Sequence, residues 1–154
     1  MFRRLILGAA AGAAGTTALN AVTYLDMAWR GRPASSTPQQ LVEKVADSLD
    51  VDIPGEGEER QNRLSGLGPL AGIATGVGVG LAYGLLDTFR LRPPKTLGML
   101  LAGAGAMAGS VLPLSATGIS DPVTWDASAW ASDVVPHLAY GAVVAWTMDA
   151  AHRV

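Results

Sequence analysis

The chain has no cysteine, which excludes disulfides and thiolate metal sites and leaves the redox compartment open. Charge is scarce too. Asp, Glu, Lys and Arg make up 16% of the 154 residues, against about a quarter in a typical soluble domain. A net charge of −2 offers no basic surface for nucleic acid. There is no G-x-S-x-G elbow, no H-E-x-x-H pair and no Walker loop. With no nucleophile placed beside a base, the chain reads as a non-enzyme without cofactor or metal. The string Gly76-Val77-Gly78-Val79-Gly80 has the spelling of a dinucleotide loop, but it sits inside an uncharged run with no strand before it.

Glycine is abundant, and its placement is informative. Gly68, Gly72, Gly76, Gly80 and Gly84 recur every fourth residue. On a helix each such step advances about 400°, so the row drifts only about 40° per step and forms a shallow groove that a partner backbone can approach. In water each mid-helix glycine costs about 1 kcal/mol relative to alanine. In lipid the backbone must satisfy its own hydrogen bonds, and small residues favour close helix packing. The expected fold is therefore all-α: a polytopic membrane protein with a four-helix transmembrane bundle, forming a single domain over 1–154.

Four spans are expected, at about 5–25, 67–86, 97–114 and 130–148, each near the roughly 20 residues that cross a bilayer. The first follows Arg3 and Arg4. A cleaved signal peptide is the competing reading, with TTALNA as its small-residue region. The length of the apolar run, the Gly8 and Gly12 pair, and Tyr24 and Trp29 at an interface favour a retained helix. The polar segment 30–65 should carry a short amphipathic helix over 38–49. Thr37 is its expected cap, with Pro38 in the first turn and Gln40 completing a capping box. Leu41, Val42, Val45, Ala46 and Leu49 share one face, so this helix should lie along the bundle mouth or the membrane surface. Glu56, Glu58 and Glu59 read as a solvated face or as the first turns of the next helix. In the third span Gly105 and Gly109 repeat the small-residue theme, and Pro113 should bend or end the helix. The fourth closes on Asp149, His152 and Arg153.

Arg3, Arg4, the Arg90 to Lys95 turn and Arg153 fall on one side under this topology, which places both termini in the cytoplasm. The order of features resembles the YagU-like family of small bacterial inner-membrane proteins. The likeness rests on Pro33 and Ser36-Thr37-Pro38, the glycine-rich helix, Pro113, Gly118 and Pro122. It continues through Trp125, Ser132, His137-Leu138 and Tyr140 to Asp149 and Arg153. The resemblance implies a four-helix bacterial cytoplasmic (inner) membrane protein associated with acid tolerance and without an agreed chemistry.

Candidate functional residues are the polar ones at membrane depth, which are costly there and usually face the bundle interior. Counting inward from the outer interface brings Asn20, Thr75, Ser110 and His137 to similar depth. Thr16, Asn20 and Tyr24 form a four-residue stripe, and Tyr140 lies on the same side of its helix as His137. Asp133 and His137, four apart, are placed for a carboxylate to imidazole hydrogen bond. Two functions follow. One is a non-enzymatic structural or accessory protein, whose glycine grooves (Gly68 to Gly84, Gly105, Gly109) pack its own helices and a partner membrane protein or second copy within the lipid bilayer. The other is a small transporter or proton-responsive protein using Asp133 and His137.

Overall fold

The computed structural model describes residues 1–151; His152 and Arg153 lie outside them. The described chain is all-helical, with α1 (Phe2–Arg30), α2 (Thr37–Ser48), α3 (Gly57–Thr88), α4 (Lys95–Ala116), a 3-10 turn (Pro122–Thr124) and α5 (Ala127–Ala151). There are thus five α-helices rather than four alone. The short one, α2, is the helix expected in the first loop. The four long helices run antiparallel to their neighbours in the order α3, α1, α5, α4. α1 packs closely on both α3 and α5, α4 packs closely on α5, and α3 and α4 meet over a smaller area.

Local chemistry sets the boundaries. Gly31 adopts φ +63 and closes α1 in the left-handed conformation that glycine tolerates best. Glu58 and Glu59 fall in the first turn of α3, where carboxylates meet the positive end of the helix dipole. Three details differ from the sequence expectation. The N-cap of α2 is Ser36, one residue before Thr37, and the Gln40 amide donates to the Ser36 hydroxyl at 2.8 Å instead of completing a capping box. Of the two effects expected of Pro113, ending the helix at that point is not seen, since α4 continues to Ala116. α3 begins about ten residues before the expected span, so its first turns form a stem against which α2 packs.

The interior is built from small residues. Ala11, Ala102 and Ala106 join Tyr140, Val144 and Met148 in the core. Large apolar side chains point outward along the middle of the helices: Leu70 is 60% exposed, Leu101 49% and Trp146 68%. α1, α3 and α4 are each long and apolar enough to cross a membrane. α5 falls outside that group, although its length suffices. It carries Asp133, Pro136, His137 and Tyr140, and the last three are buried inside the bundle.

Candidate functional site

Two glycine contacts bring the backbones together. Gly8 and Gly12 of α1 face Gly76, Gly80 and Gly84 of α3: a methyl group on Gly80 would lie 2.6 Å from the Gly12 Cα, and one on Gly84 would lie 3.1 Å from the Gly8 Cα. Between α4 and α5, a methyl on Gly141 would lie 3.1 Å from the Gly103 Cα. The 2.6 Å separation is closer than real side chains come, and the methyl on Gly141 would also stand only 2.7 Å from the Gly103 nitrogen. Gly68 instead faces α2, with the Gln39 amide nitrogen 3.1 Å from where its Cβ would stand. Gly109 faces the Thr75 methyl at 2.7 Å, and Gly105 meets Val79 at an ordinary 3.4 Å. Gly72 departs from the expected row, because among the described residues nothing outside its own helix backbone lies within 4 Å of where its Cβ would stand.

The polar candidates do not join into one network. Thr16 donates to Gly12 O at 2.8 Å, Thr75 to Ala71 O at 3.0 Å and Ser110 to Met107 O at 2.9 Å. Each hydroxyl thus satisfies itself on its own helix, a common outcome for Ser and Thr in apolar helices. Among the described residues no side-chain hydrogen bond links Asn20, Thr75, Ser110 and His137 to one another. Tyr140 is the exception that crosses between helices. Fully buried, its hydroxyl donates to Gly76 O at 2.6 Å, and its ring packs on Gly15 beside Val144. Because Gly76 has no side chain, Thr16 of α1 and Tyr140 of α5 both reach the same turn of α3.

The Asp133 and His137 pair adopts a different geometry from the expected one. His137 Nδ1 donates to the backbone carbonyl of Asp133 at 2.7 Å, while the carboxylate Oδ2 stands 3.7 Å away, beyond hydrogen-bond reach. A carbonyl oxygen only accepts, so this bond places a proton on Nδ1. Asp133 Oδ2 is buried and has no hydrogen-bond partner among the described residues. Such an oxygen is expensive in a low-dielectric setting.

Two ionic groups at the bundle ends are missing from the sequence reading. Asp87, only 2% exposed, closes α3. Arg92 Nε contacts its Oδ1 at 2.6 Å and Arg4 Nε its Oδ2 at 3.3 Å, while Arg4 Nη1 also donates to its carbonyl. Beside this cluster Lys95 pairs with Asp149 at 2.8 Å. A signal for the cluster existed. Asp87 is the sole acid between Glu59 and Asp121, and it sits in the last turn of a helix, where the dipole disfavours negative charge. At the opposite end Asp26, beyond the expected first span, binds Arg30 at 2.8 Å and Arg32 at 2.6 Å. Those hydrogen bonds, from Arg30 first and then Arg32, hold its carboxyl below the ordinary carboxylate range. Arg30 also bonds Ser128 and Ser132 and so ties α1 to the start of α5. On the stem of α3, Arg60 is paired with Glu43 of α2, and that hydrogen bond raises the guanidinium pKa.

No group of three or more His, Asp or Glu among the described residues is arranged to hold a metal ion. In comparisons with known proteins, no family model, no curated protein and no solved structure matches the chain. Nothing identifies a specific family, and the YagU-like resemblance rests on its sequence motifs alone. The fold and site define a helix-bundle protein with candidate membrane-spanning helices.

Proposed function

We propose that this is a non-enzymatic, multi-pass protein of the bacterial cytoplasmic membrane with a structural or accessory role, both termini facing the cytoplasm. The observation that carries the reading is the inverted distribution of apolar size: glycine and alanine line the interior while Leu70, Leu101 and Trp146 point outward. Water would penalise that arrangement, whereas hydrocarbon is indifferent to outward leucine and rewards close backbone packing. α5 fits the same scheme, since the residues that lower its hydropathy are mostly turned inward. An accessory role draws support from Gly72, which weakens its helix without serving any internal contact and leaves a notch on the outer wall of α3. The test is affinity purification in mild detergent from native membranes. A stable membrane-protein partner or a defined homo-oligomer is expected. A lone monomer that co-purifies with nothing contradicts the accessory role.

A second reading draws on one specific observation, the buried Asp133 Oδ2 that lacks a hydrogen bond among the described residues and stands 3.7 Å from His137 Nδ1. A small transporter or proton-responsive protein would use this pair to accept and pass a proton. Proton flux in reconstituted vesicles should then fall on Asp133→Asn and on His137→Ala. Flux unchanged by both substitutions rules this reading out.

A further inference from the structure

α2 and the stem of α3 enclose an open groove of about 690 Å³ whose walls are almost wholly aliphatic, a size within the range of about 300–1,000 Å³ typical of ligand sites. Leu41 and Val45 of α2, with Leu49 just after it, form one wall and Leu67 and Leu70 of α3 the other. α2 has no fully buried residue, and Val45, Leu49, Leu67 and Leu70 all remain exposed, so the protein leaves this apolar face uncovered. Two observations, taken with the membrane reading, bear on what covers it. The α3 wall continues past the groove through Ile73 and Leu81, also exposed, which fall within about 80° of Leu70 around the helix and lead into the expected span. The groove lies beside the start of that expected span, where the membrane reading above puts the change from headgroups to hydrocarbon. Its polar lining is confined to Asp52, Asn62 and Arg63, which supply one carboxylate, one amide and one guanidinium.

We propose that the groove holds an acyl chain of a zwitterionic phospholipid drawn from the leaflet on the α2 side, with its headgroup at Asp52 and Arg63. The chain enters along the Leu70, Ile73 and Leu81 wall and lies under the apolar face of α2, which keeps this amphipathic helix in the interface plane. Arg63 is shared with Glu59 and with the Pro54 carbonyl, and Glu56 and Glu58 stand close by in sequence. A headgroup with both a phosphate and an ammonium suits these mixed charges, whereas a purely anionic one meets the acidic stem. This inference rests on the membrane reading above.

The test reconstitutes the full chain in vesicles of phosphatidylethanolamine carrying a photoreactive acyl chain and maps the adducts by mass spectrometry. Adducts are expected on both walls of the groove, at Val45 or Leu49 and at Leu67, as well as on the outward residues Leu101 and Trp146 that report the surrounding lipid. Ala46→Trp, which fills the groove from a half-buried position, should lower the groove adducts by about tenfold, equivalent to about 1.4 kcal/mol, and leave those at Leu101 and Trp146 unchanged. Adducts at Leu101 and Trp146 without any in the groove overturn the lipid site and spare the membrane reading. A groove covered by a second protein chain, seen as protein–protein links from single cysteines at Val45 or Leu49, also overturns it. Absence of adducts everywhere overturns both.

Discussion

A single hydrogen atom separates tolerated from forbidden side chains along α3, and the row of glycines shows where. Gly80 lies so close to α1 that an added methyl would meet the backbone of Gly8 and Gly12, which cannot rotate away. Gly80→Ala should therefore destabilise the bundle by about 1–3 kcal/mol, the usual cost of overpacking, measured by denaturant unfolding in detergent. Gly72→Ala is the matched control. With open space around it, alanine should raise stability by about 0.5–1 kcal/mol through helix propensity. Equal effects at the two positions would contradict the packing described. The four-residue spacing was legible in the sequence, yet it could not distinguish Gly72 from Gly80. Spacing reports which residues share a face, and only the partner's position decides which of them are touched. Tyr140 illustrates the same limit. Its place on the inner face could be read from its distance to His137, but its bond to the Gly76 carbonyl joins residues 64 apart in the chain. Tyr140→Phe should cost about 1 kcal/mol, the net worth of such a bond, in the same unfolding assay.

At the scale of the helix, ends matter more than middles. The acid at the end of α3 opposes the helix dipole and is offset by Arg4 and Arg92, so it fastens the start of α1 and the α3–α4 turn to the end of α3. Asp87→Asn should lower stability by about 1–3 kcal/mol, because both arginines retain solvent contact that softens the loss. A neutral outcome in the unfolding assay would contradict that role. Asp26 provides a pH test at the other end. Its carboxyl is held below the ordinary value of 3.8 by Arg30 and Arg32. Its contribution is therefore complete above that value and is lost as the pH falls through the lowered one. The stability difference between the parent chain and Asp26→Asn should hold steady above pH 3.8 and shrink below it. The short helix was readable to within about one residue from its amphipathic pattern and Pro38. Its true cap was not, because Ser36 and Thr37 are chemically alike and only the backbone separates them.

For the whole molecule, the arrangement of helices is less legible than the helices themselves. Chain order suggests that α3 and α4, joined by a short basic turn, should be close partners. Instead α3 packs chiefly on α1 through its glycines and meets α4 over a smaller area. The strongest contacts form where two helices both lack side chains, and that complementarity is a property of pairs. Both the start of α1 and the end of α5 lie at the end of the bundle that holds the α3–α4 turn, as the ion pairs of Arg4 with Asp87 and Lys95 with Asp149 require. The absence of native cysteine makes the membrane account directly testable. Single cysteines placed at Leu101, Trp146 and Asp50 should be exposed in native membranes to a water-soluble, membrane-impermeant maleimide. Lipid around the bundle predicts rapid labelling at Asp50, in the loop after α2, and none at Leu101 and Trp146 on the outer walls of α4 and α5. Labelling of all three at similar rates would show that water surrounds those walls and would contradict the account.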